Sequence, residues 1–177
     1  MRSTALAVLF AALLAPAPAA AETDGPTAEV LAFDAFLARS TPLCLRRAAV
    51  QCVETAWRYV DRDRSRGLSL EELQAVRGEF VSWFRWKEPE IDPGERRRIL
   101  IGIVVFDLLG LTRLFELYDG DRDGAISWGE LLSDVRLDDR PLGKVLSDRD
   151  AVDWQSLKRR LGALAPALGP IEPKAAE

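Results

Sequence analysis

Asp119-Gly120-Asp121-Arg122-Asp123-Gly124-Ala125-Ile126-Ser127-Trp128-Gly129-Glu130 is the stretch on which the fold of this chain turns. Three aspartates alternate through its first half, a glycine follows the third, and a glutamate closes it. Apolar residues at helical spacing flank it, so the acidic run reads as a loop between two helices. A second run, Asp61-Arg62-Asp63-Arg64-Ser65-Arg66-Gly67-Leu68-Ser69-Leu70-Glu71-Glu72, sits in the same setting. Before it, Val53, Ala56, Trp57 and Val60 recur at spacings of three and four; after it, Leu70 to Trp86 presents Leu73, Val76, Phe80, Val81 and Phe84. No segment sustains a period-two alternation, so the chain reads as essentially all-helical.

The 119–130 run matches D-x-D-x-D-G-x5-E and resembles the calcium loop of the EF-hand family. Average residue frequencies make a chance match in such a chain an event on the order of one in ten thousand. Calcium takes six to eight oxygens, and alternate carboxylates at Asp119, Asp121 and Asp123 converge as the chain curls. Gly124 permits the positive φ of the sharp turn. The resemblance implies that the Ala125 carbonyl, Ser127 and Glu130 complete the shell, with Glu130 supplying two oxygens. Ile126 is the apolar residue that a paired loop places in the core.

The 61–72 run fits the same register, which assigns Asp61, Asp63, Ser65, the Gly67 carbonyl, Ser69 and Glu72 as ligands. It departs at the sixth position, where Arg66 replaces glycine. Sliding the register to bring Gly67 there would put Leu73 at the twelfth position, so the slide fails. An L residue in the left-handed region costs roughly 1–2 kcal/mol, and Arg62, Arg64 and Arg66 offset the ligand carboxylates. This loop is expected to bind more weakly than the other. A third echo, Ala151 to Leu157, aligns with 125–131, but Val145, Ser147 and Arg149 fall at its first ligand positions and cannot hold calcium in the usual way. The acidic loops start 58 residues apart (119 − 61), so they pair with each other across an insertion, or the second pairs with the third.

The expected architecture is therefore all-α: EF-hand-like helix–loop–helix units in one domain, residues 22–165, with short β contacts between loops. Hand one covers about 45–86, hand two about 95–137, and a degenerate third hand about 141–164, followed by a flexible tail at 166–177. Asp92-Pro93-Gly94-Glu95 starts a helix expected to run unbroken to Tyr118. A further short helix is expected at Ala28–Arg39.

Residues 1–21 read as a signal peptide: Arg2, the apolar run Ala5–Ala15, Pro16 and Pro18, and small residues at 19–21. Cleavage after Ala21 leaves 156 residues (177 − 21) with a formal charge of −5 (23 − 28). The run is shorter than the roughly 20 residues that span a bilayer, and no membrane span is expected after cleavage. The expected location is periplasmic or secreted. There the only two cysteines, Cys44 and Cys52, admit either a disulfide or two buried thiols. A bridge requires Cys44 to lie in the turn after Pro42, with the next helix beginning nearer Arg47, because eight residues of continuous helix separate the ends by roughly 12 Å.

The chain contains no histidine, which excludes histidine-based triads and general bases. Its net charge of −4 argues against nucleic acid as a partner. The leading functional expectation is a non-catalytic calcium-binding protein, with Ca2+ ordering or reorienting helices for structural or adaptor use. Two alternatives stand beside it: a protein-interaction module with vestigial hands, and a hydrolase using a carboxylate pair such as Asp107 with Glu116. A protein partner would meet an aromatic patch near Trp83 and Trp86.

Overall fold

The computed structural model describes residues 25–162 and 165–166. The expected signal peptide, and residues 167–177 of the expected tail, lie outside the described residues. Within them the chain is all-α with one small two-stranded sheet, as the sequence implies.

Helix α1 (Ala28–Arg46) starts at Thr27, whose side chain accepts from the Val30 N–H. It runs past its expected end at Arg39 and carries Pro42 in its interior. Proline removes one helical hydrogen bond, and packing along α2 (Ala49–Val60) and α3 (Leu70–Lys87) carries the helix through. The break lies at Arg47–Ala48, after Cys44 rather than before it. That turn brings the two cysteine Cα atoms to 4.7 Å, and Cys44 and Cys52 form a disulfide clamping α1 to α2. The bond fits an oxidising compartment.

The helix expected to run unbroken from Pro93 divides. Helix α4 (Pro93–Leu109) ends at Gly110, and α5 (Leu111–Tyr118) starts from the same residue. Gly110 has φ +78°, a conformation that costs an L residue roughly 1–2 kcal/mol, so glycine makes the kink where apolar periodicity alone predicts none. The exit helix of hand two, a unit expected to reach residue 137, is short: α6 spans Trp128–Leu131. Beyond it Asp134 turns inward, 2% exposed, and Val135 bridges to Val152. The third unit consists of α7 (Leu142–Leu146) and α8 (Trp154–Leu161), joined through a 3₁₀ turn at Arg149–Ala151.

Strands β1 (Gly67–Ser69) and β2 (Ala125–Ser127) pair antiparallel, with Leu68 opposite Ile126. The two acidic loops therefore pair with each other across the α4 insertion, resolving the alternative left by their spacing. Leu68 and Ile126 are buried with Phe115, against Trp57, Val60 and Leu131. A second core, around Ala49, Val145 and Ala151, docks the third unit on α2. Val145 is fully buried, consistent with its failure as a ligand position. Phe33, Phe36, Tyr59, Phe80 and Trp83 form an aromatic cluster joining α1, α2 and α3.

Candidate metal centre

Each acidic loop leaves one helix, curls, forms its strand and starts the next helix with a serine cap. Ser69 and Ser127 accept from the backbone N–H groups of Glu72 and Glu130, and those glutamates accept in return from the serine N–H groups. These reciprocal pairs are capping boxes. The other oxygen of each glutamate reaches back over its loop. Glu130 Oε1 accepts from the Gly120 N–H at 2.7 Å, and Glu72 Oε1 from the Arg62 N–H at 2.7 Å.

The first aspartates match as closely. Asp119 Oδ2 accepts from the Gly124 N–H at 3.2 Å, and Asp61 Oδ2 from the Arg66 N–H at 3.2 Å. Both residues are buried, and in both the Oδ1 atom is enclosed with no hydrogen-bond partner. An unpaired buried carboxylate oxygen is costly. In loop two, Asp119, Asp121 and Asp123 each offer an oxygen within 4.8 Å of the others; in loop one, Asp61, Asp63 and Glu72 do so. Two unpartnered buried oxygens, each on an aspartate whose carboxylate clusters with two others, fit a hard cation with oxygen ligands.

The expected ligands do not all gather. Glu130 lies outside the three-carboxylate cluster of its loop, held by the Gly120, Asp121 and Ser127 donors. In loop one Ser65 Oγ donates to the Gly67 carbonyl at 3.0 Å, so these two expected ligands satisfy each other. Asp123 Oδ1 accepts from the Ala125 N–H at 2.9 Å, fixing the backbone whose carbonyl was expected to face an ion.

The same donors tune the acids. The Ser127 N–H and hydroxyl, helped by the Gly120 N–H, hold the Glu130 carboxyl down at about 2. Burial raises that of Glu72, but the Ser69 and Arg62 donors outweigh it and leave it lowered. The Ser65 backbone N–H, then its hydroxyl, lower Asp63. Carboxylates held ionised are what a cation requires.

Arg66 takes φ +71° and Gly124 φ +89°, as the shared register demands. The loops also share a left-handed residue at the fourth position, Arg64 and Arg122, both at φ +61°. No sequence signal marked it, since arginine has no preference for that region.

Sequence reasoning also missed the residues bracing each hand. Tyr59 donates to Glu79 at 2.8 Å, and Glu79 pairs with Arg62. In hand two, Tyr118 donates to Asp134 at 3.3 Å, and Arg160 of α8 pairs with Asp134 at 3.2 Å. Glu79 lies seven residues after Glu72, two turns along the same helical face, a spacing that marks it in retrospect.

The alternative sites fare differently. Asp107, offered with Glu116 as a carboxylate pair, forms an ion pair with Arg77 of α3 and is half-exposed. Trp83 is committed to the aromatic cluster, its Nε1–H donating to Asp34 at 2.8 Å, while Lys87 lies over the Trp86 ring. No helix among the described residues is long and apolar enough to cross a membrane. No protein-family model, curated protein or solved structure matches the chain.

Proposed function

We propose that this chain is an exported, non-catalytic calcium-binding protein of EF-hand type, in which two paired loops hold the ion. The observation that carries this reading is the isolated buried Oδ1 at the head of each loop, on Asp61 and Asp119, two aspartates whose carboxylates each cluster with two further ones. Oxygen-only donor sets without thiolate or imidazole favour calcium or magnesium over transition metals. A curled loop rich in carboxylates and carbonyls suits the larger ion, since magnesium keeps its waters and demands near-octahedral geometry. Asp119, Asp121 and Asp123 would hold it in loop two, with Glu130 in the first turn of α6 reaching back over the loop. Asp61, Asp63 and Glu72 would do so in loop one.

Bound calcium neutralises acids that otherwise repel one another, and stabilises the helix pairs that the loops join. The disulfide and the N-terminal leader expected from the sequence support a location outside the cytoplasm. Loose sites at such locations bind at about 10⁻⁴–10⁻³ M. Isothermal calorimetry with calcium, and with magnesium as competitor, tests the reading. Heat of binding at millimolar calcium that falls in Asp119→Asn and is lost when Asp61→Asn is added supports it; no binding at millimolar metal overturns it.

A further inference from the structure

Arg160 of α8 belongs to the third unit, yet its guanidinium engages hand two. One Nη donates to the Leu117 carbonyl at 2.9 Å, the other to the Ser133 hydroxyl at 2.9 Å, and Nε lies 3.2 Å from Asp134 Oδ2. The same group lies over the Tyr118 ring, 4.8 Å from its centre. Leu117 and Tyr118 end the entering helix α5, whereas Ser133 and Asp134 lie just past α6 on the exit side. One side chain therefore spans the hand from entry to exit. The planar fork of arginine fixes several directions at once, which the point charge of a lysine does not.

Both anchors adjoin the acidic loop. Leu117 precedes Asp119 by two residues, and its carbonyl is among those that a helix end leaves without an intrahelical partner. Ser133 donates its own hydroxyl to the Glu130 carbonyl at 2.7 Å, so the bridge reaches the glutamate that ends the loop. The backbone joins the same two segments: Val135 pairs with Val152, the Arg136 N–H donates to the Ala151 carbonyl at 2.7 Å, and the Asp153 N–H to the Asp134 carbonyl at 2.8 Å. Asp134 is 2% exposed, and stripping a buried carboxylate of its partner is strongly destabilising, so Arg160 is costly to release. In hand one the bracing arginine, Arg62, lies in the loop itself.

We propose that the third unit is a clasp on hand two, with Arg160 as its positioning residue, holding the entry and exit of loop two in place in the metal-free chain. The inference rests on the reading of loop two as a calcium site. A site ordered in advance loses less freedom on binding. The clasp therefore raises the affinity of loop two and keeps α5 and the segment after α6 in one arrangement with and without metal.

Calcium calorimetry of the full chain in an Asp61→Asn background reads loop two. Arg160→Met should weaken that binding roughly tenfold or more, and in an Asp119→Asn background it should leave loop one nearly unchanged. Because Arg160→Met strands the buried Asp134 charge, a second variant separates fold from clasp. Adding Asp134→Asn removes that charge, so it should restore most of the melting temperature but not the affinity. Affinity that recovers along with the melting temperature overturns the proposal, as does equal loss at both loops. Hydrogen exchange in chelator supplies the metal-free readout. The Arg136 and Asp153 amides should be protected equally with and without calcium in the native chain, and should exchange faster in the double variant. Protection that arises only with calcium overturns the proposal. No calcium heat in the native chain overturns it together with the calcium reading, whereas native heat with unchanged affinity in the Arg160 variants overturns the clasp alone.

Discussion

The two acidic loops share one backbone and differ in charge. Both leave Oδ1 of the first aspartate isolated, both turn through left-handed residues at the fourth and sixth positions, and both end in a serine–glutamate capping box. Yet 61–72 holds four acids and three arginines, a net of −1, while 119–130 holds four acids and one arginine, a net of −3. At the sixth position one loop has arginine where the other has glycine. The hydrogen-bond pattern and strand pairing therefore set the loop geometry, and residue identity sets strain and attraction for a cation. Loop two should be the stronger site for a cation and loop one the weaker.

Breaking the shared element should have the largest effect. Ile126 and Leu68 face each other in the sheet and are both buried, so truncating either to alanine should cost about 2–5 kcal/mol of stability. Chemical denaturation in chelator measures this, and equal losses at both positions would show that the loops stand or fall together. A loss confined to one hand, read by Trp57 and Trp128 fluorescence, would break the symmetry.

Next comes the charge difference. Glu130→Gln should weaken calcium binding at loop two on the order of a hundredfold, and Glu72→Gln should weaken loop one by less, because its arginines already suppress attraction. Calorimetry of the two variants ranks the loops. A larger loss from Glu72→Gln would reverse the ranking drawn from charge.

The sixth position offers a smaller, opposed pair. Gly124→Ala places a side chain at φ +89° where nothing lies within 4 Å, so its cost is backbone strain alone, about 1–2 kcal/mol. Arg66→Gly should relieve comparable strain, offset in part by glycine's greater unfolded entropy, for a net gain of up to about 1 kcal/mol. It should also tighten loop one by removing a cation. Melting curves in chelator isolate the backbone part.

Much of this was legible in the sequence, because helical periodicity and the spacing of acids are local signals. Asp119 to Glu130 announced its loop and its short β contact within twelve residues, while Ser127 and Glu130, read there as ligands, also form the helix cap. What escaped was decided at a distance. Nothing near Gly110 distinguishes a kink from a tolerated helical glycine, and the end of α6 is set by Asp134 turning toward Arg160, 26 residues later (160 − 134). Glu130's engagement with the loop N–H groups was also hidden, since the motif names ligands and says nothing of what they hold in its own hydrogen-bond network.

The smallest effect concerns the tyrosines that end the entering helices, and it tests whether the bracing of the two hands is equivalent. Tyr59 and Tyr118 are the only two in the chain. Each donates to a carboxylate that an arginine also holds. Burial, then the hydrogen bond and charge of Glu79, push Tyr59 up to about 12. Burial and the Asp134 charge raise Tyr118 as well. A raised folded value means that the neutral phenol is favoured by folding. Its stabilisation is fully present below the unfolded value of about 10 and is lost as pH rises through the folded one. Ultraviolet titration of the folded chain should therefore show no tyrosine ionising at its ordinary pH, and Tyr59→Phe should remove the component near 12. Alkaline destabilisation between pH 10 and 12 should shrink in the same variant. If Tyr59 instead titrates like a free phenol, the Tyr59–Glu79–Arg62 brace is open in solution, and only hand two is held in this way.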